Sequence, residues 1–137
     1  QGPDSTATPF ERWTVDSVSR QVTRAVIDSD SQEFPRPNEA FIGKPYRYAY
    51  TMALPKGGDP SFLSNSMLYK HDLEARTRQV HDFGAHRIPG EFVFVPKAKG
   101  QSEDDGWLMG YVVDVDSQTT DLVILDMGAR LEGVLAE

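Results

Sequence analysis

The chain has no cysteine in its 137 residues. That excludes a disulfide framework and any thiolate metal site, and it leaves the redox compartment unreadable. Basic residues are in the minority, 14 Lys and Arg against 21 Asp and Glu, for a formal net charge of -7. Phosphate recognition needs a basic face, so nucleic acid is excluded as a partner. Long hydrophobic runs are missing as well. The longest, such as FVFV and LVIL, fall far short of the roughly 20 apolar residues of a membrane-crossing helix. No signal-peptide pattern opens the chain. The acidic balance and the missing signal point to a cytoplasmic location. No stretch of ten or more residues carries a 3.6-residue apolar stripe, so no substantial helix is expected. The opening QGP, Gln1 to Pro3, reads as the remnant of a cleaved tag and is set aside, leaving 4–137 as one domain of ordinary size.

What remains is strand and turn. In YRYAYTMA, Tyr46, Tyr48, Tyr50 and Met52 share one face and Arg47, Ala49, Thr51 and Ala53 the other. EFVFV, WLMGYVVDV and DLVILDM are nearly continuous and rich in β-branched and aromatic residues, the pattern of strands buried on both faces. EFPRPNEAFIGKP, LPKGGDPS and KAKGQSEDDG are loops by their Pro, Gly and charge content. A weak repeat runs through RWTVDSVSRQVTRAVID, LYKHDLEARTRQVHDFG and GYVVDVDSQTTDLVILDM. Each reads as strand, aspartate, polar turn, strand, with Asp16, Asp72 and Asp116 expected to open the turns by accepting backbone N–H bonds. Three such hairpins fit successive blades of an antiparallel β-propeller, and a β-sandwich would hold them too.

Candidates for chemistry are few. His71, His81 and His86 show no HxH or HxxxH spacing that would bring rings to a common metal. Ser64 and Ser66 lack a Gly-x-Ser-x-Gly elbow, and no phosphate-cradling glycine pattern occurs. Glu103, Asp104 and Asp105 in SEDDG read as a solvated turn, and the Tyr46, Tyr48, Tyr50 stripe reads as core packing. Glu33 and Glu91 differ in context. Each stands directly before a Phe where a loop meets a strand. A carboxylate at the mouth of an apolar run such as PGEFVFVP either faces water or has a buried donor waiting for it, because an unpaired buried charge costs several kcal/mol, roughly.

EFPRPNEAFIGKPYRYAY, LYKHDLEARTRQVHDFGAHRIPGEFVFVPKA and EDDGWLMGYVVDVDSQTTDLVILD, in that order, resemble the C-terminal part of the carotenoid cleavage oxygenases, over about residues 10 to 136. That family includes lignostilbene dioxygenases and the retinoid isomerase of the retinal pigment epithelium. The resemblance implies a seven-bladed β-propeller with a non-haem Fe(II) on its axis, held by four histidines and reached through a lipophilic tunnel. With O2 as co-substrate, an alkene C=C of a carotenoid, apocarotenoid or stilbene is split into two carbonyl products. Glutamates behind the ligand histidines accept their second N–H, and Glu33 and Glu91 match two of those positions. The chain departs from the family at Phe92, commonly Pro, and at Pro37, commonly aliphatic. His71, His81 and His86 do not fall at ligand positions. The family's ligands would lie in earlier blades and just beyond Glu137, so the chain resembles a C-terminal fragment with no metal ligand of its own. Two alternatives stay open: a non-catalytic β domain that binds or self-associates through open strand edges, and an isomerase or hydrolase on the same scaffold. A lipophilic substrate makes membrane contact possible, with FLSNSML the one candidate patch, although a buried strand explains it better.

Overall fold

In the computed structural model, residues 7–54, 67–129 and 134–136 are described. The tag-like opening and the FLSNSML segment with Ser64 and Ser66 lie outside them, as does most of LPKGGDPS. Ten strands form two antiparallel sheets: β1 (Pro9–Asp16), β2 (Gln21–Arg36), β3 (Tyr48–Ala53), β4 (Met67–Asp72), β5 (Thr77–Asp82), β6 (Arg87–Pro89), β7 (Val93–Pro96), β8 (Gly106–Asp114), β9 (Thr119–Asp126) and β10 (Val134–Ala136). The first sheet runs β1-β2-β3-β4-β5-β10. In the second, β8 pairs β9 on one side and both β6 and β7 on the other. As the sequence predicts, there is no substantial helix among the described residues. The one helical turn is a 3-10 turn over Glu39–Phe41. No described helix is long and apolar enough to cross a membrane.

The repeat is real and its turns are built alike. Asp16 Oδ1 accepts from the N–H of Val18 and Ser19, and Asp72 Oδ1 from Glu74 and Ala75. The third opener is Asp114, not Asp116: its Oδ1 accepts from Asp116 and Ser117, both at 3.0 Å. The reason is loop length. Each loop has four residues, with the aspartate paired to the residue five positions on: Asp16 to Gln21, Asp72 to Thr77, Asp114 to Thr119. The position just before that partner turns left-handed, at Arg20, Arg76 and Gln118 (φ 56, 53 and 56°). Asp116 sits inside its loop, where the carboxylate lies 3.0 Å from His86 Nδ1.

Tyr50, Met52 and Leu68 of the first sheet meet Phe92, Phe94, Leu108, Val112 and Met127 of the second, and these residues form the core. Phe92 and Phe94 lie flat across β8 because Gly110 and Gly106 leave room. A Cβ at Gly110 would sit 2.5 Å from the Phe92 ring. Phe92, a departure from the family pattern, is therefore a core residue here.

The expectation of two-sided burial is corrected for the near-continuous runs. Along β8, Leu108 and Val112 are buried whereas Tyr111 and Val113 are exposed, and Leu122 and Ile124 of β9 are exposed beside them. One face of this sheet packs on the first sheet; the other meets no described element. It is the alternating strand β3 that is buried on both sides, with Tyr50 and Met52 toward the second sheet and Ala49 and Thr51 on the reverse.

Candidate functional site

Glu33 stands at a fault in β2. Glu33 pairs with Met52 and Arg36 with Tyr50, so three steps along β2 match two along β3. One extra residue is absorbed by Phe34, at φ 52°, and by Pro35, which has no N–H to give to a ladder. Side chains alternate along a strand, so a spacing of three ordinarily places two residues on opposite faces. The bulge cancels that: Glu33 and Arg36 both join the face of Tyr50 and Met52, which looks toward the second sheet. Burial raises the Glu33 carboxyl above its ordinary pKa. A cleft of about 240 Å³ lies beside Glu33, lined in part by Phe10, Trp13, Gln32 and Thr51. No described donor reaches the Glu33 carboxylate.

Glu91 stands at a second fault. β6 and β7 lie along the same edge of β8 but are interrupted at Gly90–Phe92, where only Gly90 N bonds across, to Tyr111 O at 2.9 Å. The glutamate projects from that gap and meets Arg36, whose Nε and Nη2 both reach Oε1, at 2.8 and 2.5 Å. Of the two alternatives for this carboxylate, neither holds outright: it is 41% exposed and has a partner that is itself 38% exposed, and that partner comes from the motif of the other glutamate. Arg36 is held in turn by Glu39, 3.7 Å from Nη1. Glu39 begins the 3-10 turn that Asn38 caps, accepting from Ala40 N and donating from Nδ2 to Glu103 O at 3.0 Å.

The acidic loop is no solvated turn, which corrects the reading from composition. Glu103 accepts the backbone N–H groups of Arg47 and Tyr48 at the start of β3. Asp104 takes the ammonium of Lys70 at 2.6 Å. Lys70, 4% exposed, also donates to Met127 O and lies over the Tyr48 ring. Burial would push the Asp104 carboxyl up; the Lys70 and Ser102 hydrogen bonds outweigh it and hold its pKa below the usual range. Asp105 is bound by Lys97. The loop thus bolts the second sheet to β3 and β4 and fixes how Arg36 can meet Glu91.

The histidines are all otherwise engaged. His71 is buried on the reverse face of β4, its Nε2 2.9 Å from Gln32 Oε1 and 3.1 Å from Thr51 Oγ1, and burial lowers its pKa to about 4. His81 stands edge-on to Phe83. His86 faces Asp116. No group of three or more His, Asp or Glu among the described residues could hold a metal. Of the tyrosine stripe, Tyr50 is core, Tyr48 packs against it, and Tyr46 lies before β3 and is exposed.

Arg36, Asn38 and Lys70 were not legible as site residues. Arg36 did carry a signal, since it is the basic residue of the motif that resembles the family's. Lys70, in the middle of an apolar strand, carried another, because a lysine there has to find an acid.

The sequence model of the family described as retinal pigment epithelial membrane protein matches residues 2–136. A carotenoid cleavage oxygenase of Mycobacterium tuberculosis is 37% identical over 130 residues, covering 92% of this chain and 26% of that protein. The apocarotenoid-15,15'-oxygenase of Synechocystis is 36% identical over 115 residues, covering 84% of this chain and 23% of the relative. The crystal structure of a cobalt-substituted Synechocystis apocarotenoid oxygenase superposes with a TM-score of 0.80 at 33% identity, over 92% of this chain and 26% of that one. The two sheets are accordingly blades of a β-propeller, as in that oxygenase. Spanning about a quarter of the length of these relatives, the chain belongs to the carotenoid cleavage oxygenase family.

Proposed function

We propose that residues 4–137 are C-terminal blades of an Fe(II)- and O2-dependent dioxygenase that cleaves a C=C bond of a carotenoid, an apocarotenoid or a stilbene. The observation that carries this reading is the pair of glutamates. Each sits at a strand break, and each offers a carboxylate oxygen that no described donor engages: either oxygen of Glu33, and Oε2 of Glu91. Such oxygens suit the outer N–H of a metal-bound imidazole, whose tautomer and ring plane are fixed by a carboxylate acceptor. The residues present therefore fit the surroundings of an iron site and not its coordination sphere, for which no ligand set exists among the described residues. The ligand histidines belong to other segments of the parent protein, and these 137 residues alone are inactive. Iron, when bound, supplies the redox chemistry by which O2 is spent on the alkene and two carbonyl products form. The part of this chain is to hold Glu33 and Glu91 where imidazoles can meet them.

In the intact enzyme, purified aerobically without chelators, Glu91→Gln lowers iron affinity or turnover about 10–100-fold, and Glu33→Gln acts in the same direction. About one iron per chain in the parent and a deficit in the variants is the expected result. Unchanged iron content and rate in both variants would remove these residues from the site. Product analysis separates cleavage, which consumes O2 and yields two carbonyl fragments, from isomerisation, which does neither.

The exposed Tyr111, Val113, Leu122 and Ile124 favour a second reading for the isolated chain, self-association without chemistry. Sedimentation at high concentration is then expected to show dimers or larger species, and a clean monomer defeats that reading.

A further inference from the structure

We infer that Arg36 is the positioning residue that aims Glu91, and that the two glutamates are thereby set as one unit rather than separately; this rests on the function proposed above. Both of its bonds to Glu91, from Nε at 2.8 Å and Nη2 at 2.5 Å, fall on the same oxygen, Oε1. A guanidinium that bound the carboxylate symmetrically would occupy both oxygens. Here the fork takes one and leaves Oε2 as an acceptor that no described donor engages. Glu91 needs this help. It projects from the gap between β6 and β7, where the ladder to β8 is interrupted, and its side chain is 41% exposed, so neither strand pairing nor packing fixes its rotamer.

Two nitrogens of Arg36 are committed to Glu91. Nη1 faces Glu39 at 3.7 Å, and Glu39 lies on the turn capped by Asn38, which is 5% exposed and tied to the Glu103 carbonyl. The bulge at Phe34 and Pro35 then puts Arg36 on the face of Glu33. A single geometric element, Glu33-x-x-Arg36 across the bulge, carries one acceptor directly and orients the other across the sheet gap. A lysine could not replace the arginine, since an ammonium is a point charge on a flexible stem without a planar fork.

The test uses the intact parent enzyme loaded with cobalt, a metal that a related oxygenase is known to accept. The dissociation constant for Co(II) and the visible ligand-field band are read for the parent, Arg36→Gln, Arg36→Lys, Glu91→Gln and the double variant Arg36→Gln/Glu91→Gln. Arg36→Gln is expected to weaken cobalt binding about tenfold and to move the band. Arg36→Lys does not restore either, and the double variant matches Glu91→Gln alone, because Arg36 acts only through Glu91. Thermal unfolding of each variant is followed in parallel. Should Arg36→Gln fail to fold, the comparison of Arg36→Lys with Glu91→Gln carries the same decision. If Glu91→Gln moves the band and the Arg36 variants do not, or if the two effects add in the double variant, the inference fails and the proposed function stands. If Glu91→Gln itself leaves affinity and band unchanged, the function reading fails and takes the inference with it.

Discussion

Asp104→Ala destabilises the fold by about 3–5 kcal/mol, the range found when one partner of a buried ion pair is removed. The ammonium of Lys70 is then left among Tyr48, Met127 and the core with a single carbonyl acceptor, the Met127 oxygen, since the other hydrogen bond described for it goes to Asp104. The reciprocal change is milder. Lys70→Met fills similar space with an apolar chain and leaves Asp104 17% exposed and still bonded to the Ser102 hydroxyl, so the loss is about 1–3 kcal/mol. The asymmetry is the diagnostic feature. Urea unfolding midpoints for the two variants, converted with a common slope, test it. Equal and small losses would mean that the 102–105 loop is hydrated in solution and does not bolt the sheets together. Because the same loop holds Asn38 through the Glu103 carbonyl, Asp104→Ala should also loosen the Arg36–Glu91 contact, about 55 positions apart in sequence, without touching either residue.

Stability also falls as pH drops from about 6.5 to about 4, and His71 is the reason. Its pKa is lowered to about 4 by burial, with the Asp28 carboxylate pulling it up and the Arg78 guanidinium pushing it down, against about 6.5 in the unfolded chain. Between those values the unfolded state binds the proton and the folded state does not. Acid therefore favours unfolding across that window, by about 3 kcal/mol in total. Above pH 6.5 both states are neutral and the contribution is complete; below about 4 both are charged and it is gone. The groups facing His71 are Gln32 and Thr51 as hydrogen-bond partners, and Asp28 and Arg78, themselves joined at 2.6 Å. His71→Gln keeps a hydrogen-bonding side chain without a proton to gain. Denaturation of the two proteins between pH 7.5 and 4.5 should show the loss toward acid in the parent only, since Glu33, whose pKa burial raises, works in the opposite direction and is common to both. The carboxylates with lowered pKa, such as Asp72 on Arg47, lose their share at lower pH, as it falls through their own folded values, so they do not mimic the effect. A loss toward acid that persists in His71→Gln would assign it elsewhere.

The hairpins were legible because their signals are local. Alternation, an aspartate and a four-residue polar loop need nothing from the rest of the chain. The misplacement of the third turn to Asp116 shows the limit: DVDS offers two aspartates, and only pairing register, Asp114 to Thr119, decides between them. Burial of the near-continuous strands was overread because hydrophobic content does not say how many layers flank a sheet. β3 lies in mid-sheet between the core and the Gln32, Thr51, His71 network, whereas β8 and β9 carry apolar residues to an open face. Glu33 and Glu91 drew attention by their positions before Phe at strand mouths. The arginine between them did not, since a contact 55 residues away depends on a bulge that no periodicity announces. The acidic loop was undervalued for the same reason, its partners Lys70, Arg47 and Tyr48 all lying on or just before strands distant in sequence.

The bulge in β2 has a consequence for how this segment tolerates change. Glu33 and Arg36 share a face only because one surplus residue sits between them. Deleting Phe34 or Pro35, or inserting one residue beside them, would turn one of the two side chains to the reverse of the sheet and part Arg36 from Glu91, even with every chemically active group retained. Substitutions at the two intervening positions face a looser demand, a backbone able to turn left-handed at 34 and able to do without a ladder N–H at 35. The motif is thus a ruler before it is a set of letters, and drift in its length is far more damaging than drift in its spelling.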